Sequence, residues 1–260
     1  MPEFNEYFLD EFNKPKYDPE SRESLFHFAR KLEGKTLREV CHPDMLSSKN
    51  KKKGKGDWGV NLEKYYFGYK QNSSHEPDFE KLGIEIKSSG IINSKITKSK
   101  GVEKNKNLHR WVGKERISIA ALNFDDIINK SFEEVVWTKI KDPLFVLHKY
   151  LKDESIFDFP VIKVSFYKYT PFEIQSIYTD WLHIREVVRN GKAHELTGSG
   201  PVNLFLEPAT TGSGHGYKTT YLNGLEAKPR RYAFSPSYAS HIVKRILEEQ
   251  NRININNFTI

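Results

Sequence analysis

The chain is organised around PDFEKLGIEIK, residues Pro77 to Lys87. Its second half alternates apolar and polar residues, which is the pattern of a half-buried β-strand. The alternation predicts that Glu85 and Lys87 project from one face of this strand. Ile84 and Ile86 then point into the core, so two opposite charges lie side by side on a single strand.

The first half of the stretch has the composition of a turn. Pro77 and Gly83 favour a turn or short hairpin, which can fold Asp78 back beside Glu85. Two carboxylates and the ammonium of Lys87 then lie close together. Two hard oxygen ligands suit Mg²⁺, and a lysine beside the metal can orient an attacking water or stabilise the charge that develops on a phosphate. The arrangement is typical of a magnesium-dependent phosphodiesterase, while the plain alternative is a Glu-x-Lys strand that only faces solvent.

Further motifs surround this stretch in a fixed order. They are Lys55 to Glu63 (KGDWGVNLE), Phe67-Gly68, Lys114 to Arg116, Asp180-Trp181, Gly191 to Leu196 (GKAHEL) and Arg231 to Ser235 (RYAFS). Over roughly residues 20 to 247 the chain thereby resembles the MutH branch of the PD-(D/E)XK nucleases. Within that branch it is most similar to type II restriction enzymes of the Sau-three-A type, which cut at GATC. The ordered set is more specific than any single motif.

The resemblance implies a fold, an activity and a set of catalytic residues. The fold is α/β and restriction-endonuclease-like, a mixed sheet flanked by helices with two lobes around a DNA cleft. Catalytic roles fall on Glu63, Asp78, Glu85 and Lys87, with the three carboxylates as ligands of Mg²⁺, for which Mn²⁺ can substitute. In the expected reaction a metal-activated water hydrolyses a DNA phosphodiester, and Lys87 positions that water or offsets charge in the transition state.

Basic and polar residues outside the acidic cluster are predicted to contact double-stranded DNA. The charge run of residues 49–55 is either a solvated loop or a loop that contacts phosphates. Residues 198–216 are rich in Gly, Ser and Thr, and the resemblance implies that they face the DNA bases. The predicted contacts are Lys51, Lys52, Lys53, Lys55, Lys114, Arg116, Thr210, His215, Arg231, Tyr232 and Ser235. For Lys114 and Arg116 a surface salt bridge is the simpler alternative, and His215 is equally well a loop histidine without a role.

Two departures from the MutH pattern bear on specificity. Ala233 stands where MutH has a tyrosine that senses adenine methylation, although Tyr232 is adjacent. Glu207 precedes Pro208 where MutH has an arginine. Both changes follow the restriction-enzyme branch, so we expect a double-strand cutter that tolerates adenine methylation. The expected site, GATC, follows from the resemblance and not from these two positions. The alternatives are a mismatch-repair-type nicking endonuclease, a DNA-binding regulatory module with an inactive site, and an RNA or structure-specific nuclease.

Composition agrees with a nucleic-acid partner without requiring one. The 260 residues carry a formal net charge of +7 with a pI near 9.2, which attracts polyanions. One cysteine, Cys41, excludes an internal disulfide and suits a reducing compartment. The sequence has no apolar run of about 18 residues and its amino end is not signal-like. We therefore expect a bacterial cytoplasmic protein that does not contact a membrane.

Several other chemistries are disfavoured by motif spacing. Neither phosphate-loop pattern fits Gly212 to Lys218, so no nucleotide cofactor is expected. His75-Glu76 and His194-Glu195 lack the second histidine of the H-E-x-x-H zinc motif. No constellation supports a serine or cysteine nucleophile.

Residues 1–260 are interpreted as one MutH-like endonuclease domain. Residues 1–18 read as an extended arm or loose first turn, and residues 251–260 as a tail without an obvious partner. Restriction enzymes of the type resembled carry a regulatory domain after this point. A missing carboxyl-terminal domain or a homodimer is therefore an expected partner, since cutting both strands of a palindrome needs two active sites or two visits.

Hydrophobic periodicity predicts the remaining elements. Predicted helices run from Ser21 to a stop at Gly34, from Trp58 to Phe67 with Gly68 at the end, from Thr170 to Asn190, and from Pro236 to Gln250 with Ser235 as cap. Predicted strands are Arg116 to Leu122 beside the catalytic strand, Val135 to Ile140, Leu144 to Lys149, Val161 to Tyr169, Asn203 to Leu206 and Arg231 to Phe234.

Overall fold

The computed structural model describes residues 3–44, 57–70, 76–95, 109–198, 204–211, 218–222 and 224–256. Its α-helices are α1 (Arg22–Arg30), α2 (Leu37–Val40), α3 (Asp57–Asn61), α4 (Phe124–Asn129), α5 (Phe132–Val135), α6 (Pro171–Arg189) and α7 (Pro236–Asn256). A π-helical segment, Leu62–Phe67, continues α3, and short 3₁₀ helices lie at Glu6–Phe8, Trp137–Lys139, Ile156–Asp158 and Ala193–Glu195. In the described part of the chain, no helix is both long and apolar enough to cross a membrane.

The strands form three sheets. They are β1 (Glu85–Lys95), β2 (His109–Gly113), β3 (Ile117–Leu122), β4 (Pro143–Lys149), β5 (Val161–Phe166), β6 (Leu206–Thr210), β7 (Thr219–Tyr221), β8 (Leu225–Ala227) and β9 (Arg230–Phe234). The largest sheet has the order β2-β1-β4-β5, in which β1 and β4 are parallel and the other pairs antiparallel. A second sheet has the order β3-β9-β6, and β7 pairs with β8. The predicted α/β fold with a mixed sheet flanked by helices is confirmed; the DNA cleft stays a prediction.

Burial divides the hydrophobic core into two clusters. One packs α6 and α7 against the β3-β9-β6 sheet and includes Trp181, which is 1% exposed. The other gathers α1, the π-helical segment and one face of the β1-β4 pair around Phe67 and Phe79. The amino-terminal residues belong to the second cluster, because Phe8 and Tyr17 are buried in it and the Tyr17 hydroxyl donates to the Phe67 carbonyl at 2.7 Å. The interpretation of residues 1–18 as an arm or loose turn is therefore wrong.

The predicted helices form where their caps indicate. Ser21 caps α1, and Gly34 adopts a left-handed φ of +80° three residues after its C-cap. Thr170 and Glu173 form a reciprocal capping box at the start of α6, in which each side chain accepts from the other residue's backbone N–H. Ile177, Trp181, Ile184 and Val188 are buried on α6. Helix α7 runs six residues beyond the predicted end at Gln250, through part of the predicted tail.

The strand predicted at Arg116 to Leu122 is present, but its predicted place beside β1 is wrong, as are two other strand predictions. Val135 to Ile140 forms the end of α5 and a 3₁₀ turn, because Ser131 and Glu134 make a capping box that starts a helix just before it. β3 pairs with β9, since the opposite edge of β1 is occupied first by the turn at residues 77–84 and then by β2. The strand predicted at Asn203 to Leu206 begins at Leu206 instead and divides the predicted loop of residues 198–216.

The start of β6 is fixed by a helix side chain. Asp180 of α6 accepts from the backbone N–H groups of Phe205 and Leu206 at 2.8 and 2.9 Å. These bonds tie the second sheet to α6, and the neighbouring Trp181 fills the core between them. The Asp180-Trp181 motif is thus structural in this chain.

Gly68 allows the chain to leave the π-helical segment. Its φ is +74°, and a Cβ at this position would overlap the backbone nitrogen and Cα of Phe8. Gly34 has a similar φ of +80° but open space around it. We expect Gly34→Ala to lower the free energy of unfolding by about 1 kcal/mol through backbone strain alone, and Gly68→Ala by about 3 kcal/mol because overlap adds to strain.

Denaturant unfolding of both variants measures the difference. Equal losses would show that the chain relaxes around Gly68 and that the contact with Phe8 does not restrict this position.

Candidate active site

The turn before β1 brings two carboxylates together, as the sequence predicts. Phe79 and Ile84 bridge across the turn, and Gly83 takes a φ of +67°. The Asp78 N–H donates to Glu85 Oε2 at 3.1 Å, and the Ile86 N–H donates to Asp78 Oδ2 at 2.8 Å. Each carboxylate therefore accepts from backbone on the other arm of the turn, which fixes the two relative to each other.

Two lysines hold Glu85 from opposite oxygens. Lys87 Nζ donates to Glu85 Oε1 at 2.7 Å and to the Ile119 carbonyl of β3 at 3.2 Å. Lys139 Nζ lies 3.2 Å from Glu85 Oε2 and also donates to the Glu76 carbonyl. Glu85, Lys87 and Lys139 are 6 to 8% exposed. Because a buried charge needs a partner, the two lysines supply Glu85 with the opposite charges that its burial requires.

The burial of this strand differs from the half-buried pattern expected. Ile84 and Ile86 are buried on one face as predicted, at 0 and 4% exposed. Glu85 and Lys87 are also buried, because β3 and the 3₁₀ turn Trp137–Lys139 cover the opposite face. The plain alternative of a solvated Glu-x-Lys strand is therefore excluded.

Glu63 approaches the pair from the π-helical segment, a helical irregularity often found at functional sites. Asp78 keeps some accessible surface, yet its carboxylate is enclosed by protein atoms. Burial, followed by repulsion from Glu85 and Glu63, raises the pKa of Asp78 to about 7, against the opposing effects of Lys87 and the Ile86 N–H. A negative charge on Asp78 is thus disfavoured by its surroundings.

The donor chemistry fits a hard divalent cation. Within the described ranges no three Asp, Glu, His or Cys side chains form a ready-made metal cluster. Mg²⁺ commonly binds through one or two carboxylates and keeps several waters, which the Asp78 and Glu85 pair can satisfy. The same oxygen ligands suit Mn²⁺. The uncompensated negative charge at Asp78 is what such a cation would neutralise, with Glu63 near enough to add to the attraction.

Two predicted DNA contacts are basic residues between β2 and β3. Lys114 Nζ lies 2.7 Å from a Glu115 oxygen and 4.0 Å above the Tyr150 ring. Arg116 is exposed and forms an ion pair with Glu207, which is 2% exposed. Both Lys114 and Arg116 therefore form the salt bridges that the alternative interpretation expects. Glu207, which stands where MutH has an arginine, therefore has a structural role here: its buried carboxylate is the ion-pair partner of Arg116.

The remaining predicted contacts divide by burial. Thr210 is exposed at the end of β6, and Arg231 is half-buried on β9. Tyr232 is 1% exposed in the core, and Ser235 is 4% exposed with its hydroxyl bonded to the Leu204 carbonyl and the Tyr238 N–H. A DNA contact by either of these two would require it to leave a core position. Lys51, Lys52, Lys53, Lys55 and His215 lie outside the described residues.

Sequence reasoning missed Lys139. The residue falls in a segment predicted to be a strand and lies 54 residues from Glu85 along the chain. Nothing in its local sequence distinguishes it from the other lysines, and only the 3₁₀ turn Trp137–Lys139 turns its side chain to Glu85.

The burial of Asp78 and its repulsion from Glu85 and Glu63 give a stability prediction for the metal-free protein. We expect Asp78→Asn to raise the free energy of unfolding by about 1 kcal/mol, hence the melting temperature by about 2–4 °C, because the amide removes a charge yet can still accept from Ile86 N. Asp142→Asn is the control, since Asp142 pairs with Arg22 at the surface and its loss should not stabilise.

Thermal unfolding in chelator, then with Mg²⁺, measures both effects. Added Mg²⁺ should stabilise the wild type and not Asp78→Asn. A destabilised Asp78→Asn in chelator would show that the lost hydrogen bonding of the carboxylate outweighs the relief of burial and repulsion.

Comparison with known proteins agrees with this geometry. Residues 67–180 match the family model of the DNA mismatch repair enzyme MutH, a span that contains Asp78, Glu85, Lys87 and Lys139. The chain is also 23% identical over 238 residues to the type II restriction enzyme Sau3AI of Staphylococcus aureus. That alignment covers 90% of this chain and 45% of the relative, so the chain spans about half the length of the protein it matches. The resemblance to the MutH branch, with a type II restriction enzyme among its relatives, is confirmed.

Proposed function

We propose that this chain is a metal-dependent DNA endonuclease that hydrolyses phosphodiester bonds. The observation that carries the proposal is the convergence of Asp78, Glu85 and Lys87 at one buried point, within the residues that match the MutH model. The net charge of +7 would supply the sequence-independent attraction to the DNA backbone.

The side chains divide the chemistry between them. Asp78 and Glu85 would hold Mg²⁺, with Glu63 adding negative charge to the same site or orienting a water. When bound, the ion supplies Lewis-acid stabilisation of the charge on the phosphate. Lys87 directs two of its three N–H donors to Glu85 and the Ile119 carbonyl, which leaves a donor capacity for the attacking water or a phosphate oxygen.

Lys139 acts at one remove from the substrate. Its ammonium holds Glu85 Oε2 while Lys87 holds Oε1, so the carboxylate plane is fixed by a lysine on each side. We assign it a positioning role, because its contacts in the described structure are with Glu85 and the Glu76 carbonyl.

Within this class we favour a type II restriction enzyme that cuts both strands at GATC. Similarity to the Staphylococcus aureus restriction enzyme supports this choice, as do Ala233 and Glu207 at the two positions that depart from MutH. Direct readout of the bases depends on a few side chains, so the recognition sequence is determined by sequencing the cleaved DNA ends.

Digestion of methylated and unmethylated plasmid tests the proposal. With Mg²⁺ we expect discrete linear fragments whose sequenced ends map to GATC in both substrates, and with Ca²⁺ binding without cleavage. Nicked circles alone would indicate a mismatch-repair-type nickase. Salt-sensitive binding without any cleavage would indicate a binding module.

Replacement of Lys87 tests the catalytic assignment. Lys87→Ala should lower the cleavage rate by about 100-fold or more, the scale for loss of a charge-stabilising donor, while affinity for DNA in Ca²⁺ stays within about threefold. Lys81→Ala is the control, since Lys81 precedes the same strand and pairs with Glu20 at the surface. Retained cleavage by Lys87→Ala would refute the assignment.

Lys139 gives a separate prediction. Lys139→Met should lower the cleavage rate by about tenfold, because Glu85 loses one of the two lysine contacts that fix its orientation, while Lys87 still acts. Lys141→Met, two residues further along, should cleave like the wild type. A rate for Lys139→Met equal to that of the control would remove Lys139 from the site.

A further inference from the structure

Tyr69 lies directly behind the acidic cluster. It follows Gly68 at the end of the π-helical segment, and its backbone N–H donates to the Glu63 carbonyl at 3.2 Å. Its ring packs edge-on against Phe79, the residue after Asp78, with centroids 5.8 Å apart. The side chain is 2% exposed, so Tyr69 touches the two segments that carry Glu63 and Asp78 from the inside of the protein.

The hydroxyl of Tyr69 is buried and has no hydrogen-bond partner among the described residues. Two other tyrosines of the same aromatic cluster differ in this respect. Tyr17 donates to the Phe67 carbonyl at 2.7 Å, and Tyr66 donates to the Phe28 carbonyl at 2.8 Å. The hydroxyls of Tyr17 and Tyr66 therefore have backbone acceptors, whereas the hydroxyl of Tyr69 has no acceptor among the described residues.

The electrostatic surroundings show which acceptors are near. Burial and then the negative charges of Asp78, Glu63 and Glu85, in that order, hold the pKa of Tyr69 well above its usual value. The phenol thus keeps its proton and is a donor at any working pH. An unpaired buried donor costs free energy, and one buried water can connect a donor to an acceptor beyond direct reach.

We propose that Tyr69 is a positioning residue of the acidic site, whose hydroxyl donates to the Asp78 carboxylate through one buried water. The Ile86 N–H already holds Oδ2 of Asp78, and a second donor from behind would fix the rotation of the carboxylate. Outer donors of this kind orient metal ligands in proteins. The inference rests on the proposed function, because it gives Asp78 the role of a metal ligand.

Tyr69→Phe removes the hydroxyl and keeps the ring. We expect the cleavage rate at saturating DNA to fall about tenfold and the Mg²⁺ concentration for half-maximal rate to rise by at least about threefold, with KM for DNA unchanged. Tyr66→Phe is the matched control, since it removes a buried hydroxyl from the same segment whose acceptor is the Phe28 carbonyl. It should lower stability without changing the Mg²⁺ dependence. Wild-type rate and Mg²⁺ midpoint in Tyr69→Phe would overturn the proposal.

A second measurement separates this inference from the nuclease proposal. Thermal unfolding of the wild type, Tyr69→Phe, Asp78→Asn and the double variant, each with and without Mg²⁺, needs no cleavage. We expect the effects of the two substitutions on stability to be non-additive, and the stabilisation by Mg²⁺ to shrink in Tyr69→Phe but not in Tyr66→Phe. Additive effects with an unchanged Mg²⁺ response would overturn the role of Tyr69, even if the wild type cleaves DNA. If the wild type binds Mg²⁺ and does not cleave, the coupling still decides the role.

Discussion

The active-site region depends on the reciprocal attachment of Asp78 and Glu85 across the turn that precedes β1. The backbone N–H of Asp78 holds the Glu85 carboxylate, and the backbone N–H of Ile86 holds the Asp78 carboxylate. The second bond also satisfies a strand edge, because the first half of β1 pairs only with β4 while β2 begins to pair at Ile91. The Asp78 carboxylate therefore has two roles: it accepts from the unpaired edge of β1, and it forms part of the candidate metal site.

Burial makes this arrangement depend on charge balance. An isolated ionised carboxylate in a protein interior is costly unless it is paired and hydrogen-bonded. Glu85 meets that condition through Lys87 and Lys139, whereas Asp78 is opposed by the neighbouring carboxylates. Glu85 is thus paired with cations, while a charge on Asp78 is disfavoured by its surroundings. The proposed Mg²⁺ would offset that charge, since this ion commonly binds through one or two carboxylates and keeps several waters.

Local sequence could predict the parts of the site that are close together in the chain. The alternation around Glu85 and the turn residues Pro77 and Gly83 are local, and each maps onto the structure. Lys139 could not be predicted, because its contact with Glu85 depends on a turn that the apolar run of residues 135–140 hides. The same run was mistaken for a strand, since a short apolar segment fits either period and the Ser131 capping box decides. The pairing of β3 with β9 could not be predicted either, because it depends on which strand edges the rest of the sheet leaves unpaired.

The ion pair of Arg116 and Glu207 is compatible with a further contact of Arg116 to a phosphate. Glu207 is 2% exposed, so removing its cation would leave a buried charge without its partner, which is unfavourable. Arg116 would therefore keep Glu207 when a polyanion arrives rather than exchange it. A guanidinium carries five N–H donors in a planar fork, and the side chain is 42% exposed, so one edge can hold the carboxylate while another meets a phosphate. A lysine would keep the charge and three donors, but its donors all leave one nitrogen, so it lacks the planar fork whose two edges can each meet an anion in a bidentate way.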